Sequence, residues 1–246
     1  MLSVQGVSKR FGGLLAIADV SLGVPQGGII GLIGPNGAGK TTLFGVISGF
    51  LPPTSGRVAF EGTDITREEP HVRARRGIAR TFQIVQPFAG LSVRENIAVG
   101  AYLRHRRRAD AMARADAVGQ CVGLGPMLER PAATLTVAGR KRLELARALA
   151  TEPRLLLLDE VLAGLNPSEI RDILPVIRAI RDGGVTILMI EHVMQAVMAL
   201  CEVVHVLAQG RMIAHGPPQL VCEDPAVIEA YLGRATASRL REGTHA

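Results

Sequence analysis

A nine-residue segment at positions 34–42 constrains the fold of this chain more than any other feature of the sequence. It reads Gly-Pro-Asn-Gly-Ala-Gly-Lys-Thr-Thr and fits the phosphate-binding pattern G-x-x-x-x-G-K-[ST]. The apolar run 28–33 before it predicts a buried strand, and residues 43–47 after it predict a helix. This strand–loop–helix context is the one that the pattern requires. The alternative is a glycine-rich turn with a chance Lys-Thr pair.

Each residue type in this segment suits the binding of phosphate. Glycines let the backbone turn so that successive N–H groups point at an anion, and the following helix directs the positive end of its dipole to the same place. Lys40 can reach the terminal phosphates, and the Thr41 hydroxyl can bind Mg²⁺. The predicted nucleotide-binding residues of the loop are Gly34, Pro35, Asn36, Gly37, Ala38, Gly39, Lys40, Thr41 and Thr42.

The composition favours a globular chain with a large core. Of the 246 residues, 48% are hydrophobic, and the apolar runs are strand-sized, well short of the ~20 residues that span a bilayer. The N-terminal residues lack the basic and apolar segments of a secretion signal, so we expect a cytosolic location. Three widely spaced cysteines without a C-x-x-C pair argue against a disulfide framework or a cysteine metal site.

The net charge of +6 arises in good part from two groups of basic residues. Such groups bind nucleic acid or lie near anionic lipid. Aromatic residues make up only 3% of the chain and Trp is absent, so surfaces on which single-stranded bases stack are scarce. A helical face close to a membrane is therefore the favoured interpretation, and a nucleic-acid site is the alternative. The two groups are Arg73, Arg75, Arg76 and Arg80, and the run 104–108.

Strands alternate with helices along the chain, which predicts a mostly parallel α/β core. A helix-rich stretch at 84–151 interrupts this alternation and is interpreted as an inserted helical subdomain. The core is expected to comprise 1–83 and 152–235, including an antiparallel β part, and the polar tail 236–246 is expected to be flexible. Ser168 is the predicted N-cap of one core helix. Strands are predicted at 4–7, 18–24, 57–60, 155–159, 185–190, 203–207 and 211–214.

Two adjacent carboxylates, Asp159 and Glu160, follow the buried apolar run 155–158. Ligands of an open α/β sheet bind at the carboxyl ends of its strands. Asp159 is therefore a candidate for holding Mg²⁺ through its hydration shell, and Glu160 is a candidate for polarising an attacking water molecule. Adjacent acidic residues at a strand end also occur in ordinary salt-bridged turns, which is the alternative interpretation.

The segment before that strand connects the chain to a known family. Residues 135–149 resemble the signature helix of the ATP-binding-cassette (ABC) family, with 135–139 aligned to its L-S-G-G-Q motif. Taken singly, the other matching residues could be a surface amide, a core histidine and part of a small apolar cluster. Their shared order over residues 4–233 supports the resemblance. The matching residues are Phe11 for the adenine-stacking aromatic, Gln83 for the Q-loop, 163–166 for the D-loop and His192 for the switch histidine.

The resemblance implies the P-loop core of an ABC ATPase with an inserted helical subdomain, and hydrolysis of ATP with Mg²⁺. Phe11 would stack on adenine. Thr136, Ala138 and Gly139 would complete the ATP site of an opposite subunit, where the Thr136 hydroxyl could bond a phosphate oxygen. The catalytic residues implied are Glu160 as base, His192 at the γ-phosphate, Gln83 and Lys40, and the metal-binding residues are Thr41, Gln83 and Asp159.

Segments 79–83, 91–96 and 157–167 resemble one subgroup of the family, the branched-chain amino acid importers with LivG-like ATP-binding subunits. Related members serve urea, short amides and aromatic acids. The resemblance implies a head-to-tail pair of ATPase subunits, peripheral at the cytoplasmic face of the membrane. This pair would dock on integral-membrane permease subunits through a groove near 83–96, and a solute-binding protein would act indirectly.

No nucleic acid is expected as a partner of such a subunit. Two other cassette functions remain as alternatives. One is a soluble ATPase that acts on nucleic acid or ribosomes, which the positive charge supports only weakly. The other is the ATPase of a lipid exporter, against which the subgroup resemblance argues.

The signature segment departs from the family pattern because Val137 and Ala138 replace two glycines. These residues restrict the backbone where it must approach a phosphate, so the site that faces them is expected to be weakened. Arg140 and Lys141, in the first turn of the helix, are hypothesised to compensate by attracting the facing phosphates. A second departure, Val161 in place of the usual Pro, is expected to have little effect.

Overall fold

The computed structural model describes residues 1–82 and 86–232, and these divide into two compact units. The first unit combines Met1–Glu68 with the described residues from Leu188 onward, and the second is Glu69–Ile187. In chain order the elements are β1 (Leu2–Phe11), β2 (Leu14–Val24), β3 (Ile29–Ile33), α1 (Lys40–Ser48), β4 (Ser55–Phe60), β5 (Thr63–Asp64), α2 (Pro70–Arg76), β6 (Ile78–Arg80), α3 (Val93–Ala101), α4 (Arg108–Cys121), α5 (Val137–Ala150), β7 (Leu155–Asp159), α6 (Pro167–Asp182), β8 (Thr186–Ile190), α7 (Met194–Leu200), β9 (Val203–Ala208), β10 (Arg211–Gly216), α8 (Pro218–Glu223) and α9 (Pro225–Leu232).

The first unit contains two groups of paired strands. An antiparallel sheet has the order β2-β1-β4-β5, and Val4 of β1 pairs with Leu22 on one side and Val58 on the other. In the second group, β9 pairs in parallel with β3 and antiparallel with β10. All five residues of β3 are buried, as expected for a continuous apolar strand of an α/β protein. The α/β class predicted from the sequence is confirmed, and β3 leads directly into the segment 34–42.

The second unit pairs β6 in parallel with β7 and contains the helical stretch α3 to α5. Helix α3 packs on both α4 and α5. Alanines such as Ala101, Ala115 and Ala146 are fully buried there, and their small side chains let the helices approach closely. The break between α4 and α5 contains two short 3₁₀ turns, Gly125–Met127 and Ala132–Thr134. Among all helices of the described residues, none has the length and apolar character needed to cross a membrane.

The N-cap of α6 is Asn166, so the prediction of Ser168 at that position is wrong. Asn166 Oδ1 accepts hydrogen bonds from the backbone N–H groups of Ser168 and Glu169 at 2.9 and 3.0 Å, and Glu169 Oε2 accepts from the Asn166 N–H at 2.8 Å. Pro167 has no N–H to bond and suits the first helical position, so the capping residue must precede it. Ser168 therefore lies inside the helix.

Two arginines of the basic groups that suggested a membrane-facing surface have partners or positions inside the protein. Arg73 is only 1% exposed. The guanidinium of Arg104 donates to the carbonyl oxygens of Arg75 at 2.8 Å and of Thr151 at 3.3 Å, at the C-terminal ends of α2 and α5. Cationic side chains are favourable there because the last carbonyls of a helix need donors. Arg75, Arg104 and residues 106–108 are exposed, so the membrane-facing surface stays a prediction for them.

The capping assignment predicts that Asn166→Ala lowers the free energy of unfolding by about 0.5–2 kcal/mol, because two backbone N–H groups lose their acceptor. Ser168→Ala removes a hydroxyl from the same turn without removing the cap, and it is the matched control. Urea denaturation of both variants followed by circular dichroism measures the difference. Equal losses in the two variants would contradict the assignment.

Candidate functional site

The segment 34–42 forms a tight loop between β3 and α1, so the predicted strand–loop–helix context is confirmed. Gly34 and Gly39 have φ values of 147° and 104°, which glycine adopts at little cost. An added Cβ on Gly34 would collide with the carbonyl oxygen of Leu207, and one on Gly39 would lie 2.7 Å from the carbonyl oxygen of Ala16. Both ends of the loop therefore require glycine because neighbouring backbone lies so close.

Lys40 is the first residue of α1, and its side chain folds back over the loop. Its Nζ donates to the carbonyl oxygens of Gly34 at 2.7 Å and Pro35 at 3.0 Å, and the residue is 8% exposed. No described side chain caps the N-terminus of α1, and the first turn contains no acidic residue. An ammonium group beside uncapped helix N–H groups fits the phosphates of a nucleotide. In the loop Asn36, Gly37 and Thr41 are exposed, Pro35 and Thr42 are half-buried and Ala38 is buried.

Two residues outside the phosphate-binding pattern support this loop. The backbone N–H of Gly210, in the turn between β9 and β10, donates to the carbonyl oxygen of Ala38 at 3.0 Å, and Gly210 in turn accepts from Ala18 at 2.8 Å. Tyr231 of α9 lies at the start of the loop: burial raises the pKa of its phenol, while a hydrogen bond with the Gly34 backbone works in the opposite direction. The motif pattern gave no signal for either residue, since it describes only the loop itself.

Phe11 and His192 also belong to the first unit. Phe11 ends β1 and is 45% exposed, with Lys9 Nζ 5.1 Å from the centroid of its ring. An exposed aromatic ring on a strand end is free to stack on a flat ligand, as the resemblance implies. His192 follows β8 directly, whose five residues are all buried, and it is exposed. It is therefore not a core histidine.

Asp159 is the last residue of β7, and its carboxylate is buried beside Arg80. Arg80 Nη2 donates to Asp159 Oδ2 at 2.7 Å, and the two side chains are 10% and 4% exposed. The Thr81 hydroxyl oxygen accepts from the Asp159 N–H at 3.0 Å and fixes the strand end. Arg80 is 79 positions away in the sequence, and no local pattern identifies it as the partner. It also cannot serve a lipid or nucleic-acid surface.

The acidic side chains suit Mg²⁺ bound together with a nucleotide. The described residues contain no cluster of three or more His, Cys, Asp or Glu side chains that could hold a metal ion alone. Magnesium bound to a nucleotide takes few protein ligands and completes its shell with phosphate oxygens and water. In the phosphate loop, the exposed Thr41 carries a hydroxyl oxygen, a donor of the kind that Mg²⁺ accepts.

Glu160 follows Asp159 with an unusual backbone. Its φ is 49°, in the left-handed region that non-glycine residues rarely occupy. The residue is half-buried. Strained positions of this kind are frequent at catalytic sites, where the surrounding structure holds them.

The signature segment forms the start of α5. Thr136 is the N-cap, and its hydroxyl oxygen accepts from the Gly139 N–H at 3.2 Å. Thr136 is exposed, Val137 is 59% exposed and Ala138 is half-buried, whereas Gly139 is buried. The segment therefore presents a hydroxyl and an apolar side chain at the N-terminal end of a helix.

The hypothesis that Arg140 and Lys141 attract facing phosphates is not supported for Lys141, which is buried, and stays a prediction for Arg140, which is exposed. The Arg140 guanidinium donates to the carbonyl oxygens of Leu135 at 3.0 Å and Ala133 at 3.2 Å. Lys141 is 7% exposed, and its Nζ donates to the carbonyl oxygen of Glu160 at 3.2 Å. Both cations bind backbone of their own chain because those carbonyl groups lie within reach.

Gln83 lies outside the described residues. On either side of it, Phe82 and Phe88 are 43% and 45% exposed, and the guanidinium groups of Arg80 and Arg147 lie 5.4 and 4.8 Å from the respective ring centroids. These exposed rings give the predicted docking region apolar surface.

Comparison with known families gives two matches. Residues 17–163, more than half of the chain, match the family described as ABC transporter. Residues 211–237 match the family described as branched-chain amino acid ATP-binding cassette transporter. The resemblance found in the sequence is confirmed.

Similar curated proteins align over nearly the whole chain. The high-affinity branched-chain amino acid transport ATP-binding protein BraF of Pseudomonas aeruginosa is 40% identical, over 96% of this chain and 98% of that protein. LivG of Escherichia coli K12, described in the same words, is 38% identical over the same shares. The lipopolysaccharide export system ATP-binding protein LptB of Escherichia coli K12 is 36% identical, over 94% of this chain and 97% of that protein.

Solved structures agree with the expected fold. A nucleotide-free ATP-binding cassette from an ABC transporter has a TM-score of 0.87 at 33% identity, over 95% of this chain and 99% of that one. The ADP conformation of an ATP-binding cassette has a TM-score of 0.86 at the same identity and shares. The ABC ATPase fold is confirmed.

The buried ion pair at the end of β7 predicts a large loss of stability for Arg80→Met, about 3–5 kcal/mol, because the Asp159 carboxylate remains buried without this partner. Arg57→Met is the matched control, since Arg57 pairs with Asp64 at 2.9 Å but both side chains are about half exposed. Water screens that pair, and its loss is expected to change stability little. Thermal unfolding compares the two variants, and similar small shifts would contradict the burial of the Arg80–Asp159 pair.

Proposed function

This chain belongs to the ABC transporter family and is an ATPase of that family, and we propose that it powers an importer of branched-chain amino acids or of related small solutes such as urea or short amides. The match of residues 211–237 to the branched-chain amino acid cassette family supports this substrate class. The names of the BraF and LivG relatives support it independently.

The observation that carries the ATPase assignment is the phosphate loop. The Lys40 ammonium lies over the loop carbonyls, and the N-terminus of α1 is uncapped among the described residues. These groups together provide the positive charge and N–H donors that a triphosphate requires.

In the proposed mechanism this chain binds and orients the nucleotide and then activates water. Phe11 stacks on adenine, while Lys40 and the loop N–H groups hold the phosphates. Glu160 accepts a proton from the attacking water, and His192 steadies the γ-phosphate. Mg²⁺, when bound, neutralises phosphate charge, and Thr41, Gln83 and Asp159 would hold it.

The proposed active assembly is a head-to-tail pair of ATPase subunits docked on membrane permease subunits at the cytoplasmic face. The exposed hydroxyl of Thr136 and the adjoining Ala138 and Gly139 would face the nucleotide of the opposite subunit. A solute-binding protein would act through the permease and not through this chain. Reopening of the pair after hydrolysis would deliver the motion to the permease.

Lipid export is the second candidate, and the 36% identity to LptB supports it. The match of residues 211–237 to the branched-chain amino acid family favours import. A function on nucleic acid is less well supported, because Arg73 and Arg80, two members of the basic groups, are largely buried.

If Glu160 is the base, Glu160→Gln retains ATP, keeps the subunits closed around it and slows hydrolysis by about 100-fold or more, because the amide cannot accept the proton. Glu61→Gln, on the exposed turn after β4, is the control for the same change of charge. Single-turnover hydrolysis and gel filtration with ATP measure the two effects. Wild-type hydrolysis by Glu160→Gln would remove the assignment of the base.

If the region 83–96 docks on a permease, Phe88→Asp abolishes co-purification with an integral-membrane subunit, because a charge replaces an exposed ring in the contact. Phe50→Asp is the control, since Phe50 is 53% exposed elsewhere on the chain. Extraction of membranes with detergent, followed by affinity capture, provides the measurement. Recovery of RNA instead of a membrane subunit with the unaltered chain would support the nucleic-acid alternative.

A further inference from the structure

The backbone of Glu160 has an uncommon conformation that neighbouring groups help to hold. Four other described non-glycine residues have a left-handed φ: Glu61 and Gln209 lie in tight turns between antiparallel strands, Asp19 lies in β2, and Glu152 lies between α5 and β7. Glu160 instead follows the fully buried strand β7. A non-glycine residue keeps this conformation only where its surroundings determine it. The direction of the Glu160 side chain depends on that backbone, so whatever fixes the backbone also aims the carboxylate.

The carbonyl oxygen of Glu160 accepts both a local and a long-range hydrogen bond. The Ala163 N–H, three residues away, donates to it at 3.1 Å and closes a local turn. Lys141 Nζ donates to it at 3.2 Å from a position 19 residues earlier in the chain. The Lys141 bond therefore fixes the turn relative to α5, which the Ala163 bond cannot do.

The environment of Lys141 makes this hydrogen bond matter. The residue is 7% exposed, and a buried ammonium is costly unless it binds acceptors. Glu144, three residues further along α5, is also buried and pairs with Arg147 at 3.2 Å. Burial raises the pKa of the Glu144 carboxyl, against the opposing charges of Arg147 and Lys141. Lys141 thus donates a charge-assisted hydrogen bond to the Glu160 carbonyl, a type of bond that is strong, and its charge also acts on the buried Glu144 carboxyl.

We propose that Lys141 is a positioning residue for ATP hydrolysis, whose ammonium holds the Glu160 backbone in the conformation that aims its carboxylate at water. The inference rests on the proposed role of Glu160 as the base. Lys141 lies just over one turn after Thr136, the N-cap of α5. The Lys141–Glu160 bond therefore joins the signature end of α5 to the turn that carries the base.

The first test is kinetic. Lys141→Met keeps an unbranched side chain but removes the donor, and it is expected to lower kcat about 10- to 100-fold with little change in KM for magnesium ATP. Lys141→Arg retains donors and is expected to restore most of kcat. Arg142→Met is the control on the same helix, because Arg142 donates to the carbonyl oxygen of Val122 at 2.8 Å, away from Glu160. It is expected to leave kcat unchanged.

The second test does not use activity. In the nucleotide-free protein, Lys141→Met is expected to speed hydrogen–deuterium exchange in the segment 159–165, including the Ala163 amide, whereas Arg142→Met is not. Should Lys141→Met fail to fold, Lys141→Gln, with a shorter and neutral side chain, gives the same comparison. Unchanged exchange in 159–165 together with normal kcat would overturn the proposal.

A double variant separates this inference from the proposed function. If Lys141 acts through Glu160, Lys141→Met causes no further loss of hydrolysis in a Glu160→Gln background. If the double variant instead loses hydrolysis by the product of the two single-variant factors, the positioning role is overturned and the base assignment stays intact. Wild-type hydrolysis by Glu160→Gln alone would overturn the base assignment and, with it, the positioning role.

Discussion

Close packing of the phosphate loop against the β9–β10 hairpin is the constraint on which the nucleotide site depends. Gly34 has no room for a Cβ beside the Leu207 carbonyl, and the Gly210 N–H binds the carbonyl of Ala38. These contacts hold the loop backbone in place, and they come from residues that are not part of the phosphate-binding motif. The Lys40 ammonium and the uncapped start of α1 are thereby held in place before a nucleotide arrives, which lowers the cost of binding it.

Local sequence patterns predicted most elements of the fold, because apolar runs and the glycines and prolines between them are local signals. The predicted strand 155–159 coincides with β7, and 203–207 falls one residue short of β9. The N-cap at Ser168 was predicted wrongly because Pro167 takes the first helical position and moves the cap to Asn166. The inserted helical subdomain at 84–151 stays a prediction, as do the roles of the site residues.

The contacts that support the site could not be predicted from the sequence, because they join distant positions. Arg80 binds Asp159, which lies 79 positions away in the sequence. Lys141 binds a backbone oxygen, and because every residue type has one, no sequence pattern marks this partner. Charge also gives no sign of which backbone groups an arginine binds. Arg104 is exposed, yet its guanidinium donates to carbonyl oxygens at helix ends. Motifs therefore identify the groups that meet the nucleotide, and the structure identifies those that hold them.

Removal of the Lys40 ammonium tests the central claim most directly. Lys40→Ala takes away the charge that faces the phosphates, together with its hydrogen bonds to the Gly34 and Pro35 carbonyls, but it keeps the loop glycines and the bond from the Gly210 N–H to Ala38. Titration of the folded variant with magnesium ATP, followed by calorimetry, is expected to show affinity at least about tenfold below that of the unaltered chain. Equal affinity in the two proteins, at equal thermal stability, would show that the nucleotide binds elsewhere.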